Sequence, residues 1–219
     1  MSKEHVVVIY PHPDDEAFGA SGTIAQFREK GIPVTYLCGT LGEMGRNMGN
    51  PTFATRESLR EIRKKELIEA CNVLDVELEM LGYRDKTLEF ESREEVADHL
   101  YSYLKKIKPS LVITHYPEHA VHPDHDALGA AAIRAVEMLP ESDRPTVWAQ
   151  AISNDSVEKL GEPDIQNDVT PLFKKKLAAI MAHKSQADGM LSTVKNDADD
   201  IEQAAKMWLG MESFYIWEY

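Results

Sequence analysis

The sequence has few cysteines, no long apolar run and a shortage of basic residues. Only two cysteines, Cys38 and Cys71, occur among its 219 residues. Cys38 lies in an apolar strand pattern and Cys71 in a helix pattern, which predicts two buried thiols and no disulfide. No apolar stretch approaches the ~18 residues that a membrane span requires. Residues 1–5 show neither the basic start nor the apolar stretch of a signal peptide, so we expect a cytoplasmic protein.

The charge balance restricts the partners. The chain has 24 Lys and Arg against 37 Asp and Glu, a net charge of −13 at pH 7. Nucleic acids and anionic membranes bind basic surfaces, so neither is expected as a partner. A small anionic substrate needs only a local basic pocket and is not excluded. A homo-oligomer is compatible with this composition.

Strand and helix patterns alternate along the chain, with no repeat and no linker that divides it. Residues 1–219 are therefore expected to form a single domain of the α/β class, with a Rossmann-like, mostly parallel sheet and helices on both faces. Strands are predicted at Val6–Tyr10, Val34–Cys38, Glu77–Leu81, Leu111–Thr114, Thr146–Ile152 and, at the C-terminus, Ser213–Tyr219. Helices are predicted at Ser21–Lys30, Arg56–Leu74, Arg93–Ile107, Asp126–Met138, Leu172–Ala182 and Lys195–Met207. The polar segment Ser153–Thr170 is expected to leave the sheet.

Two short motifs follow predicted strands. His12-Pro13-Asp14-Asp15-Glu16 comes directly after the first strand, and His122-Pro123-Asp124-His125 follows the fourth, each at the start of a helix. Ligands of such sheets bind at the carboxyl ends of the strands. We therefore expect the two motifs to form one site at that edge.

The residue types in these motifs suit a catalytic zinc ion. His12, Asp15 and His125 make a set of two histidines and one carboxylate, which leaves a position open for water. Asp14 lies beside a ligand and is a candidate general base. A protonated His122 is a candidate for stabilising an oxyanion and protonating a leaving amine, and Asp124 is expected to orient it and raise its pKa.

A structural explanation competes with each of these roles. A carboxylate near a helix start caps exposed N–H groups, and a single histidine in a loop is usually polar surface. Capping does not require histidine, however, and both motifs contain it. The pair of motifs therefore favours a metal site.

The sequence resembles the LmbE/PIG-L family of zinc-dependent de-N-acetylases, which act on N-acetylglucosamine conjugates. The resemblance rests on "HPDDE" followed by "GASGT" and on "HPDH", with support from "TLGEMG", "RKKELIEA", "YRDK" and "AHKSQ". Within the family it is most similar to bacillithiol-biosynthesis deacetylases, which implies N-acetylglucosaminyl malate as substrate. The family pattern implies His12, Asp15 and His125 as zinc ligands and Asp14 as base. It gives His122 the oxyanion or acid role, with Asp124 behind it.

The sequence indicates the substrate-binding residues less clearly than the metal ligands. Glu43 is a candidate for binding sugar hydroxyls, and Asp85 is equally suited to that role or to a turn. Arg46 and Arg63 are candidates for gripping a carboxylate through the bidentate guanidinium, with Arg46 in the Gly-rich loop preferred. A solvated helix face is the alternative for the arginines of the long helix. His183 is explained equally well as a helix C-cap.

Two other functions remain open at this point. A nucleotide-binding module would need a Gly-x-Gly-x-x-Gly turn after the first strand, where the chain instead has three carboxylates. Another single-metal hydrolase, a phosphoesterase or a thiol-conjugate amidase, would use the same ligands. Iron(II) or manganese would also fit a site of histidine and carboxylate.

Overall fold

The computed structural model describes residues 4–187 and 206–219. The predicted helix Lys195–Met207 falls almost entirely outside them. The strands are β1 (Val6–Tyr10), β2 (Val34–Cys38), β3 (Glu77–Met80), β4 (Leu111–His115), β5 (Thr146–Gln150), β6 (Ile165–Asp168) and β7 (Met211–Ile216). The helices are α1 (Asp15–Gly19), α2 (Ser21–Glu29), α3 (Arg56–Leu74), α4 (Arg93–Ile107), α5 (Pro123–Glu137), α6 (Ser156–Leu160) and α7 (Phe173–Ala182).

The strands form one sheet in the order β3-β2-β1-β4-β5-β7-β6. The first five of these strands pair in parallel, and β7 runs antiparallel to both β5 and β6. The predicted α/β class with a mostly parallel sheet is therefore confirmed. The expectation that Ser153–Thr170 leaves the sheet is wrong, because β6 lies within this segment and pairs with β7.

Strand β1 shows why its sequence is apolar throughout. Val6, Val8 and Tyr10 pack into one core layer, and Val7 and Ile9 pack into the other. Successive side chains of a strand point to opposite faces, so a strand covered on both faces is apolar at every position. The first layer lies under α2, α3 and α7, and the second lies under α4 and α5.

Both cysteines are buried free thiols, as predicted. Among residues 4–187 and 206–219, no helix has both the length and the apolar character that membrane crossing requires.

The strand order brings the two motifs together. Strand β1 lies between β2 and β4, and the helices that follow β1 and β4 pack on opposite faces of the sheet. The chain therefore leaves these two neighbouring strand ends toward opposite faces of the sheet. The crevice between the two strand ends is a topological switch point, where open α/β sheets bind their ligands.

Helix α5 begins three residues earlier than predicted, at Pro123. His122 is its N-cap, with Nδ1 accepting a hydrogen bond of 3.1 Å from the Asp124 N–H. Proline fits the first helical position because its missing N–H would have no partner there. The second motif therefore lies at the start of α5, from which His125 reaches His12 in the loop after β1.

Candidate active site

Three side chains from the two motifs form a compact triangle. His12 Nδ1 lies 3.1 Å from His125 Nε2 and 3.4 Å from Asp15 Oδ2. Asp15 Oδ1 lies 3.3 Å from His125 Nε2. A tetrahedral zinc ion with bonds of about 2.0–2.1 Å separates its ligand atoms by roughly 3.3 Å. The three side chains therefore lie close enough to share one metal ion, with the two distances to Asp15 measured from different carboxylate oxygens.

Hydrogen bonds orient both imidazoles of the triangle. His12 Nε2 lies 3.2 Å from Asp124 Oδ2, and His125 Nδ1 donates to the Ala120 carbonyl oxygen at 2.9 Å. A proton held on the outer nitrogen leaves the inner nitrogen free to bind a metal. Burial raises the pKa of Asp15, but His125 and His12 outweigh it and hold that pKa well below its ordinary value. The carboxylate is therefore ionised, as a metal ligand must be.

The partner of Asp124 differs from the one expected. Its carboxylate contacts His12 and accepts hydrogen bonds from the N–H groups of Lys86 and Leu88, at 2.7 and 3.1 Å. Burial lowers the pKa of His122, and His12 and His125 lower it further. The Asp124 carboxylate raises the pKa of His122, as expected, but burial, His12 and His125 outweigh it, so that the net shift is downward. At the start of α5, the Asp124 carboxylate points toward the loop after β3, and only its N–H reaches His122.

Asp14 is held beside the triangle in a strained conformation. Its φ of 104° is one that residues other than glycine rarely adopt. Arg63 Nη2 lies 3.0 Å from Asp14 Oδ2 and also donates to the Pro13 carbonyl oxygen, while Nη1 donates to Gly42. Burial raises the pKa of Asp14 to about 6, against the opposing effect of the Arg63 guanidinium. A carboxylate with this pKa accepts a proton near neutral pH.

A second buried pair supports Asp14 from its other side. Glu16 Oε2 accepts a hydrogen bond from the Asp14 N–H at 3.1 Å, and Glu16 Oε1 lies 2.7 Å from His183 Nε2. Both side chains of the pair are fully buried. His183 is the C-cap residue of α7, as the sequence suggested, and its side chain also supports the first motif through Glu16.

The ring of His115 stacks on a ligand of the triangle. Its centroid lies 4.0 Å from that of His125, with 12° between the planes. Burial, reinforced by the charge of His125, holds the pKa of His115 well below its ordinary value. A neutral ring in this position limits the tilt of the His125 imidazole.

The triangle opens into a cavity of about 450 Å³. This volume suits a small organic ligand. Asp14 and His122 line the cavity together with the triangle, and Phe18 and Ile152 add apolar surface. Ligand atoms of His12, His122 and His125 lie within 4.8 Å of one another. The acid–base candidates and the metal candidates therefore face the same space.

Comparison with known families identifies this arrangement. Residues 7–136, which contain both motifs, match the PIG-L family, described as GlcNAc-PI de-N-acetylase. The chain belongs to the PIG-L family. It is therefore an enzyme of the hydrolytic N-deacetylase class, and PIG-L deacetylases are in general metal-dependent.

Curated relatives match over the full length. The chain is 48% identical to the probable N-acetyl-alpha-D-glucosaminyl L-malate deacetylase 2 of Bacillus cereus, covering 99% of this chain and 100% of the relative. The protein of the same name from Bacillus subtilis is 48% identical, with 99% of each chain covered. These matches cover the part of the chain beyond residue 136 as well as the part that matches the family model.

Solved structures confirm the fold. The N,N'-diacetylchitobiose deacetylase of Pyrococcus horikoshii superposes with a TM-score of 0.77 at 28% identity, over 99% of this chain and 84% of that one. GalB, a 4-carboxy-2-hydroxymuconate hydratase of Pseudomonas putida, gives a TM-score of 0.72 at 19% identity, over 99% and 97%. The second match shares only the fold, so the reaction of this PIG-L protein has to be argued from its own site.

The predicted sugar-binding carboxylates contact the protein itself. Asp85 lines the cavity, with Oδ1 3.3 Å from His12 Nε2 and Oδ2 accepting from the Met44 N–H at 2.7 Å. Glu43 is not part of the cavity lining, and its Oε1 accepts a hydrogen bond from the Asp85 N–H at 3.2 Å. Both carboxylates therefore position the loops around His12.

The predicted arginines are also placed differently. Arg63 lines the cavity but is 4% exposed and donates to Asp14, Pro13 and Gly42. Gly42 leaves room for it, because a Cβ there would lie 2.0 Å from Arg63 Nη1. Arg46 is exposed and lines a neighbouring hollow of about 210 Å³, outside the cavity. Neither guanidinium is therefore free within the cavity.

Sequence reasoning missed one lining cation, Lys86. It follows Asp85 in the loop after β3 and lines the cavity. Its only signal in the sequence is its position beside a carboxylate in "YRDK". That signal cannot distinguish a surface lysine from one at a cavity.

Proposed function

We propose that this protein hydrolyses the N-acetyl group of N-acetylglucosaminyl malate, releasing acetate and the free amine, with one zinc ion per chain. The full-length match to relatives named for this activity supports the substrate. The observation that carries the proposal is the triangle of His12, Asp15 and His125 with Asp14 beside it in one cavity. When bound, zinc would lower the pKa of a water molecule to about 7 and polarise a carbonyl.

Asp14 acts as the base. Its raised pKa suits it to accept a proton from the attacking water near neutral pH. The strained backbone together with Arg63 keeps the carboxylate in place. The water oxygen bonds to the acetyl carbon, and its proton passes to Asp14. The carbon–nitrogen bond then breaks, and Asp14 returns the proton to the departing amine.

His122 stabilises the developing oxyanion as a neutral imidazole. Its Nδ1 accepts from the Asp124 N–H, so the proton of the neutral ring is on Nε2. Its lowered pKa keeps the ring in this form near neutral pH. An N–H donor that is already oriented costs no rearrangement when charge develops on the carbonyl oxygen.

Parallel assays of the purified protein test the proposed function. The zinc-loaded chain is offered N-acetylglucosaminyl malate, a thiol conjugate of N-acetylglucosamine and a phosphate ester, with acetate, free amine and phosphate measured separately. We expect equal amounts of acetate and amine from the malate conjugate. Phosphate release, or no product from either amide, would contradict the proposal.

A further inference from the structure

We propose that Lys86 determines specificity for substrates whose aglycone carries a carboxylate, by binding that carboxylate at the cavity. This inference rests on the proposed function and names the group that selects one class of N-acetylglucosamine conjugate over another. It assigns to Lys86 the role that the sequence predicted for an arginine.

The backbone of Lys86 is fixed to the active site. Its N–H donates to Asp124 Oδ2 at 2.7 Å, and that same oxygen lies 3.2 Å from His12 Nε2. The residue before it, Asp85, also contacts His12. Asp85 thus contacts the candidate metal ligand His12 directly, and Lys86 contacts it through Asp124. These contacts fix the position of the Lys86 backbone relative to the reacting centre.

The side chain of Lys86 is available to a ligand at the cavity. Its φ is 61°, in the left-handed region that glycine adopts without cost and lysine does not. The residue is exposed, and it lines the cavity. Across residues 4–187 and 206–219, its ammonium makes no hydrogen bond or ion pair. A flexible cation at a cavity with no protein partner is available to a ligand.

Other cationic side chains do not compete for this role. Both terminal nitrogens of Arg63 donate to protein oxygens, and its side chain is 5% exposed. Arg46 lines a different hollow. Two side chains of the lysine and arginine type line the cavity, Arg63 and Lys86. Within the part of the chain that the structure describes, Arg63 is paired with Asp14, and the charge of Lys86 has no partner.

The charge distribution in the cavity also orients an anionic substrate. The carboxylates of Asp14, Asp15 and Asp85 line the cavity around the triangle, where Arg63, the histidines and the metal of the proposed function balance their charge. Lys86 attracts a negative group to its own side of the cavity. A conjugate with a neutral acetamide at one end and a carboxylate at the other is therefore guided with its acetamide toward the triangle.

Steady-state kinetics on a matched pair of substrates test this inference. One substrate is N-acetylglucosaminyl malate, and the other is the methyl glycoside of N-acetylglucosamine, which has the same sugar and no charge. We expect Lys86→Gln to lower kcat/KM for the malate conjugate by about 10- to 100-fold, mainly through KM, since a hydrogen bond to a charged group is lost. We expect kcat/KM for the methyl glycoside to change less than about twofold, because that ligand has no group for Lys86.

Two further variants control for backbone and charge. Lys108 has the same backbone region, with φ 54°, and is exposed away from the cavity, so Lys108→Gln should leave both substrates unaffected. Lys86→Arg keeps the charge and should retain most of the preference for the malate conjugate.

The possible failures are distinguishable. Equal loss on both substrates in Lys86→Gln, or no loss on either, would overturn the role of Lys86 and leave the proposed function intact. Hydrolysis of neither substrate by the zinc-loaded wild type would overturn the proposed function, and the role of Lys86 would fall with it.

Discussion

Arg63 and Asp14 are joined across 3.0 Å, from Nη2 to Oδ2, although 49 residues separate them in the chain. Both side chains are largely buried. The same guanidinium donates to the carbonyl oxygens of Pro13 and Gly42. Arg63 therefore holds both the conformation of the first motif and the charge state of the proposed base.

The pH dependence of kcat should report this pair. Asp14 must be deprotonated to accept a proton, so the activity should fall as the pH decreases through about 6. Arg63 lowers the pKa of Asp14, so Arg63→Met should move the acid limb to higher pH. The control is Arg60→Met on the same helix, where the exposed Arg60 pairs, among residues 4–187 and 206–219, with Glu61. An acid limb that does not move in Arg63→Met would contradict this role.

Substitution of Asp14 should separate chemistry from metal binding. Asp14→Asn removes the proposed base but leaves the three candidate ligands, so kcat should fall about 10²- to 10⁴-fold while the metal content stays at one per chain. His125→Asn removes a ligand and should lose the metal itself. Elemental analysis and amine release, measured on the same samples, distinguish the two effects. Full activity in Asp14→Asn would show that another group is the base.

Substitution of Asp124 should weaken metal binding. Asp124 contacts His12 at 3.2 Å and does not pair with the His122 ring. Asp124→Asn should therefore lower metal affinity about 10- to 100-fold, as is typical for the partner of a metal-binding histidine. Competition with a zinc chelator measures this affinity. Unchanged affinity would contradict this role of Asp124, whereas a lower pKa of His122 is expected in either case because Asp124 raises it.

The buried pair of His183 and Glu16 should make stability depend on pH. Burial lowers the pKa of His183, but the charge and hydrogen bond of Glu16 outweigh it and raise that pKa. The stabilisation is therefore complete below the unfolded pKa of about 6.5 and is lost as the pH rises through the folded value.

Thermal unfolding of the wild type and of His183→Gln should show this dependence. Loss of one partner of a buried pair costs about 3–5 kcal/mol, so the two Tm values should differ most at pH 5.5 and converge toward pH 9. A difference that is constant across this range would show that packing alone explains the effect of His183.

Local patterns were sufficient to predict most of the sheet. The buried strands, β1 above all, are apolar and β-branched, and those features depend on few distant contacts. Strand β6 was missed because its residues, Ile165–Asp168, alternate in burial at the sheet edge and pair with β7, some 45 residues later in the chain. Such a strand is defined by its partner and not by its own sequence.

The candidate site was predictable where the chemistry is local to a motif. The spacing of His12 and Asp15, and the second motif with His125, indicated three candidate ligands, and the structure brings these side chains together. The partners of Asp124 and Arg63 were not predictable, because they depend on which loop of the fold each side chain meets. Lys86 was missed for the same reason.

Reconstitution of the metal-free protein with zinc tests the central claim most directly. The chain is depleted with a chelator and titrated with zinc while amine release from N-acetylglucosaminyl malate is followed. We predict no activity before zinc is added and a linear rise that reaches its plateau at one equivalent per chain. Full activity in the depleted protein, or a protein that binds one zinc and releases no amine, would contradict the claim.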